Sequence, residues 1–89
     1  MDFKQGDKVT WKSQAAGSVK IKTGIFLGVV EPYEDAHRYV PKKIRQLRSR
    51  IKGVNQSSLL RAAVEVPRPG EGRGSDYYFP RLSVIRLAE

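Results

Sequence analysis

The residues best suited to chemistry in this chain are basic, and they are concentrated in one third of the sequence. Residues 36–64 contain eight lysines and arginines and no aspartate or glutamate, whereas the rest carries nine basic and nine acidic residues. The formal net charge of +8 therefore comes entirely from this stretch. Cationic side chains at this density attract polyanions, above all the phosphates of nucleic acids. The basic residues are Arg38, Lys42, Lys43, Arg45, Arg48, Arg50, Lys52 and Arg61.

Apolar residues in the same stretch have the spacing of a helix that would hold these charges at the surface. Pro41 suits a helix start and Gly53 a helix end, so we predict an inserted helix over about 41–52. Its narrow apolar stripe would face the body of the protein and its cations would face outward. Phosphate contacts would come chiefly from this helix, with Arg38 and Arg61 at the margins. The stripe consists of Val40, Ile44, Leu47 and Ile51.

Contacts of this kind bind the phosphate backbone and carry little information about base sequence. The sequence therefore predicts a nucleic-acid-binding module of weak specificity, and DNA and RNA fit the pattern equally. The alternative is a protein–protein interaction module that binds a peptide or docks an acidic protein. A membrane surface ranks lower, because the apolar stripe has no Trp or Phe and is used in docking the helix.

Aromatic rings offer a second kind of contact, by stacking on bases or by enclosing a cation. Tyr33, Tyr39 and Tyr77 are the candidates for such contacts. A place in the core or at the rim of a barrel is the alternative for each of them. Trp11 lies on the apolar side of an alternating strand, and we expect it to be buried.

The residues that enzymes use most are scarce, so we predict a protein without catalytic activity. The chain has no Cys and a single His, His37, beside Glu34 and Asp35. We expect no metal site and no cofactor. The acidic cluster at 31–35 is expected to neutralise nearby cations or to cap a helical turn that Asp35 opens. The GEGRG stretch at 70–74 has no strand–loop–helix frame, so we interpret it as a hairpin loop.

The elements that must position these residues are short strands. Alternating or apolar runs predict about five of them, with Gly24 and Gly28 at bends or bulges in a strongly curved sheet. Glycine and proline predict a mobile loop at about 67–76. We predict one domain over residues 1–89. Its expected core comprises Val9, Trp11, Val19, Ile21, Ile25, Leu27, Val29, Leu60, Val64, Tyr78, Leu82, Val84 and Ile85, capped by Ile44, Leu47 and Ile51.

Two stretches resemble a known type of small barrel. GDKVTWKSQAAGSVKIKTGIFLGVV resembles the opening of SH3-like barrels of the KOW and Tudor type, and YYFPRLSVIRL resembles the ending of small bacterial Tudor-like proteins. The resemblance covers roughly residues 4–31 and 77–87. It implies an SH3-like barrel and binding of RNA, ribosomal partners, methylated peptides or nucleic acid. The inserted basic helix departs from this pattern.

The N-terminus is too polar for a signal peptide, and the longest apolar run, residues 25–30, is far too short to cross a membrane. The absence of Cys fits a reducing compartment. We therefore expect a cytoplasmic protein that does not associate with membranes.

Overall fold

The computed structural model describes residues 3–15, 17–70 and 74–88, and it is mainly β. In these described residues six strands form one sheet in the order β3-β5-β4-β2-β1-β6, one strand more than the sequence predicts. All neighbours are antiparallel except β3 and β5. In the described residues the edge strands β3 and β6 do not pair, so the sheet is not closed. The strands are β1 (Lys8–Ala15), β2 (Ser18–Val30), β3 (Ile51–Lys52), β4 (Arg61–Pro67), β5 (Ser75–Tyr78) and β6 (Arg86–Leu87).

The pairing of β1 with β2 decides which side chains of the hairpin are buried. Val9 lies opposite Gly24 and Trp11 opposite Lys22, and paired residues share one face of a sheet. Because Val9 and Trp11 face the interior, the even-numbered residues of this part of β2 face inward with them. The prediction that Val19 and Ile21 belong to the core is therefore wrong. Their side chains lie on the outer face and are 58% and 73% exposed.

The glycines in β2 predict a bulge, and a β-bulge lies between Phe26 and Gly28. Beyond the bulge, odd-numbered and even-numbered residues of β2 exchange the faces of the sheet to which their side chains point. Gly28 is required there for a second reason, because a Cβ atom would lie 2.6 Å from Cε1 of Tyr39. Gly24 is equally constrained, since a Cβ atom there would lie 2.5 Å from the backbone oxygen of Glu65. Both glycines thus allow the close approach of neighbouring structure.

The sheet is buried on both faces around β4, and the described residues contain two clusters of buried side chains. The first core consists of Val9, Trp11, Phe26, Ala62, Val64 and Ile85. The second core consists of Val30, Ala36, Val40, Ala63, Tyr77 and Phe79. Residues 31–60, which we call the covering segment, contribute Ala36 and Val40 to the second core. Adjacent residues of β4 face opposite cores, which explains why residues 61–64 are all buried. The prediction that Leu60 and Val84 belong to the core is wrong, since they are 43% and 45% exposed.

The long basic helix predicted over 41–52 is wrong. A single helical turn, α1 (Lys42–Arg45), follows Pro41, a 3-10 turn covers Arg48–Arg50, and Ile51 and Lys52 pair with β5. Residues 42–52 carry six basic side chains and no acidic partner at helical spacing, and this disfavours a longer helix. The free edge of β5 also offers hydrogen bonds to the backbone of Ile51 and Lys52. Ile44 and Ile51 still pack against the second core, whereas Leu47 is 46% exposed. No helix in the described residues has the length and hydropathy to span a membrane.

The glycine-rich stretch after β4 connects a β-hairpin, as predicted. Pro67 pairs with Ser75, and the amide of Arg68 donates to the carbonyl of Gly74 over 2.9 Å. The loop is shorter than the predicted 67–76, because Pro67 belongs to β4 and residues 75 and 76 belong to β5. Its mobility stays a prediction, and residues 71–73 lie outside the described residues.

Candidate nucleic-acid interface

Three lysines of the covering segment present their charges to solvent. Lys42 and Lys43 lie on α1, Lys52 lies on β3, and all three residues are exposed. Among the described residues none of them forms an ion pair. We refer to residues 42–52 as the basic segment. The change from one long helix to a turn, a 3-10 turn and an edge strand therefore leaves these three predicted cations at the surface.

The arginines of the basic segment differ in how freely they can reach a ligand. Arg45 is exposed, but its Nε donates to the Val40 carbonyl over 2.9 Å. Arg50 is half-buried, and its guanidinium lies against the backbone of Gly74. The side chain of Arg48 lies outside what the structure describes. Arg45 and Arg50 thus hold local structure together while adding positive charge to the surface.

Arg38 is exposed, but its charge is already compensated. Its Nη2 lies 2.6 Å from Oε2 of Glu34 and donates to the hydroxyl of Tyr39 over 2.9 Å. The Arg38 guanidinium also lies over the Tyr39 ring, 4.8 Å from the ring centre. A phosphate that bound Arg38 would compete with Glu34, so Arg38 is a weaker candidate than the lysines.

Arg61 is buried, with 4% of its surface exposed, and it cannot serve as a surface contact. Its Nη1 and Nη2 donate to the carbonyls of Val54 and Asn55 over 2.7 and 2.9 Å, and its guanidinium lies 5.7 Å from the Phe79 ring centre. Desolvation lowers the pKa of Arg61. Arg61 joins the covering segment to β4, so the predicted phosphate contact from this residue is wrong. The one sequence signal for this role is its position at the start of a strand of small apolar residues.

The carboxylates around the second face of the sheet are engaged elsewhere. Glu34 pairs with Arg38, and Asp35 accepts from the amide of His37 over 3.0 Å, which opens the 3-10 turn Ala36–Tyr39 as the sequence predicts. Glu65 accepts from the Ser75 hydroxyl over 2.7 Å. Asp76 lies 3.8 Å from Arg68. Among the described residues none of these carboxylates forms an ion pair with a residue of the basic segment.

The three candidate aromatic residues are placed very differently. Tyr39 packs over Gly28, and its hydroxyl donates to the Val29 carbonyl over 2.9 Å. Tyr77 is 5% exposed in the second core, where burial raises the pKa of its hydroxyl, Glu65 raises it further and Arg50 opposes the rise. Tyr33 alone is an exposed ring, at 69%. The predicted contact of Tyr77 is therefore wrong, because its ring is buried. Tyr39 is half-buried and already contacts Arg38 and Val29, so it is a weaker candidate than Tyr33.

Tyr33 has a strained backbone. Its φ is 65°, and it follows Pro32 in a turn closed by the amide of Glu34 donating to the Glu31 carbonyl over 3.0 Å. This is the third position of a type II turn, where glycine is favoured. A bulky residue in the left-handed region costs on the order of 1–3 kcal/mol and often marks a functional position.

We expect the Tyr33→Gly variant to be about 1 kcal/mol more stable than Tyr33→Ala, because glycine adopts a positive φ without steric cost. Both variants lack the ring, so the difference isolates the backbone. Urea denaturation monitored by Trp11 fluorescence measures both free energies of unfolding. Equal stability of the two variants would show that the turn imposes no strain.

His37 has a structural role in this region. Its Nε2 lies 3.3 Å from the Gly53 carbonyl oxygen, and its ring lies 5.8 Å from that of Phe79. Among the described residues, no group of three or more His, Asp or Glu side chains is arranged to hold a metal ion. The acidic cluster at 31–35 instead caps a turn and pairs with Arg38, as the sequence predicts.

Comparison of the chain with models of known protein families, with curated protein sequences and with solved structures found no match in any of the three.

Proposed function

We propose that this chain is a non-catalytic nucleic-acid-binding protein whose basic segment holds the phosphate backbone. The observation that carries the proposal is the exposure of Lys42, Lys43 and Lys52 without acidic partners among the described residues. Arg38 is also exposed but differs from these lysines, because it is paired with Glu34. Positive charge that the protein leaves uncompensated at one place is available to a polyanion.

The energetics of the basic segment favour the same conclusion. Like charges at this density repel one another, and this repulsion costs a few tenths of a kcal/mol for each close pair. Bound phosphates would relieve the repulsion and would release their own counterions, which drives binding at low salt. The anchoring of Ile44 and Ile51 on the second core would hold the segment in place as it binds.

Binding of this kind is expected to show little sequence specificity, because lysine contacts to phosphate do not read bases. Among the three candidate tyrosines, Tyr33 is the best placed to contact nucleic acid. Its exposed ring and strained turn suit stacking on an unpaired base, which would favour single-stranded nucleic acid or a distorted duplex.

We also propose that the sheet is an open variant of an SH3-like arrangement. The bulged strand β2, shared between two cores, and the short strand β6 beside β1 support this. The covering segment occupies the second face, so nucleic acid would bind this segment rather than the sheet. An experimental structure in which the path of β2 cannot be superposed on an SH3-like barrel would overturn this part of the proposal.

A titration of the unmodified protein at several salt concentrations tests the proposed function. If about five phosphates are neutralised on duplex DNA, log K is expected to fall against log salt with a slope of about −4 to −5. Single-stranded RNA is expected to bind with a shallower slope, and polyglutamate is expected to bind more weakly than either. Absence of binding to both nucleic acids at low salt would contradict the proposal. Preference for polyglutamate would favour the alternative, a module that docks an acidic protein.

A further inference from the structure

A groove lies along the edge of β1, outside the basic segment. Its volume is about 420 Å³, and residues of β1, β2, the 3-10 turn Leu82–Val84 and β6 line it. The lining includes Thr10, Trp11, Lys12, Ile21, Val84 and Arg86. Nothing in the proposed function uses these residues.

The edge of β1 in this groove offers backbone groups for another strand. The Lys8 carbonyl accepts from the amide of Ala88 over 2.9 Å, and Thr10 pairs with Arg86 of β6. In antiparallel strands, alternate residues direct their N–H and C=O groups to the same side, so those of Lys12 point to this edge as well. Pairing with β6 stops at Thr10, and in the described residues no other backbone group bonds to Lys12 at this edge.

The walls of the groove are apolar and exposed. Ile21 lies opposite Lys12 on β2 and is 73% exposed, and Val84 is 45% exposed. Val19, further along the same outer face of β2, is 58% exposed. Apolar side chains beside an unpaired strand edge are the features by which sheets bind an extended peptide as an added strand.

The charges of the groove indicate what kind of peptide would bind. Lys12 and Arg86 are both exposed, neither has an ion pair among the described residues, and the lining contains no carboxylate. A second copy of the chain is disfavoured, because it would bring the same cations and a net charge of +8. Nucleic acid is disfavoured as well, because it would leave the apolar walls without apolar contacts and the backbone groups of the strand edge without hydrogen bonds.

We propose that the groove binds an acidic, extended peptide segment of a partner protein, which adds to the free edge of β1 beyond β6. The backbone of the peptide pairs with Lys12. Its apolar side chains contact Ile21 and Val84, and its carboxylates face Lys12 and Arg86.

The test uses a peptide that repeats Val-Thr-Glu-Thr, so that Val and Glu lie on the same face of an added strand as Ile21, Lys12 and Arg86 do on the sheet. It records the amide shifts of the labelled full chain. Shifts are expected at Lys12 and along β1. In Lys12→Pro the ladder with β2 is kept, because the lost N–H points to the free edge. This variant and Ile21→Glu, which removes an apolar contact and repels the acidic peptide, are each expected to bind the peptide about tenfold more weakly or worse. Val54→Glu, a matched change at a residue that is 66% exposed elsewhere, is expected to bind as the parent does.

Replacing Lys42, Lys43 and Lys52 with Gln should leave the affinity for the peptide within about threefold of the parent. The same variant is expected to lose nucleic-acid binding, so failure of this inference and failure of the proposed function are distinguishable. If Lys12→Pro does not fold, Ile21→Glu decides. Absence of peptide binding, unchanged affinity in the folded groove variants, shifts confined to the basic segment, or a dimer formed through β1 would each overturn the proposal.

Discussion

Replacing Arg61 with alanine is expected to lower the free energy of unfolding by about 3–5 kcal/mol. Two hydrogen bonds from a buried guanidinium to the carbonyls of Val54 and Asn55 are lost, and each bond from a charged group contributes about 1.5–3 kcal/mol. The lost side chain also leaves a cavity beside Phe79. Urea denaturation measures the change. Trp11 is the only tryptophan and is buried, so its fluorescence reports unfolding directly.

Arg81 provides the matched control for this prediction. It lies opposite Arg61 in an isolated β-bridge but is exposed, so Arg81→Ala is expected to change stability by less than about 0.5 kcal/mol. Arg61→Lys is expected to recover little, because an ammonium group cannot reach two carbonyls with a planar fork. A loss below about 1 kcal/mol in Arg61→Ala would show that the covering segment is held by other contacts.

Replacing Lys42, Lys43 and Lys52 together with Gln is expected to weaken binding to duplex DNA about a hundredfold or more near 0.1 M salt, since each neutralised phosphate contributes about one decade there. The slope of log K against log salt is expected to flatten by about three units. The fold is expected to be retained, because all three side chains belong to exposed residues. Fluorescence anisotropy across a salt series measures both quantities.

The control for this variant removes three positive charges from residues outside the covering segment. Lys4, Lys8 and Lys20 are exposed and lie outside the covering segment. Their replacement with Gln is expected to change affinity by no more than about threefold, through the lower net charge alone. If both triple variants lost affinity equally, binding would depend on overall charge and the basic segment would not be the binding surface.

Much of the sheet could be predicted from the sequence, because local patterns encode it. Alternation predicts β1, glycines predict the bulge in β2, and Asp35 predicts the cap of the first 3-10 turn. The inward face of β2 could not be predicted in the same way. Alternation alone fits either face, and the pairing of Lys22 with Trp11 decides which one is buried.

The sequence predicts which basic residues form the candidate site, but not the backbone conformation that holds them. Ile44 and Ile51 of the predicted apolar stripe do pack against the second core. However, Ile51 lies on a strand and not on the predicted helix. Local spacing could not reveal this, because the competing hydrogen bonds come from β5, distant in sequence. Arg61 illustrates the same limit, since its burial depends on carbonyls that the covering segment brings to it.

Mapping of the bound surface on the unmodified protein tests the central claim most directly. Isotope-labelled protein is titrated with a short DNA duplex at low salt while amide shifts are recorded. We predict that the largest shifts lie in residues 42–52, with the amides of the β1 edge unchanged and all shifts reversed by added salt. Largest shifts along β1 and β6, or no shifts at low salt, would contradict the claim that the basic segment holds the phosphate backbone.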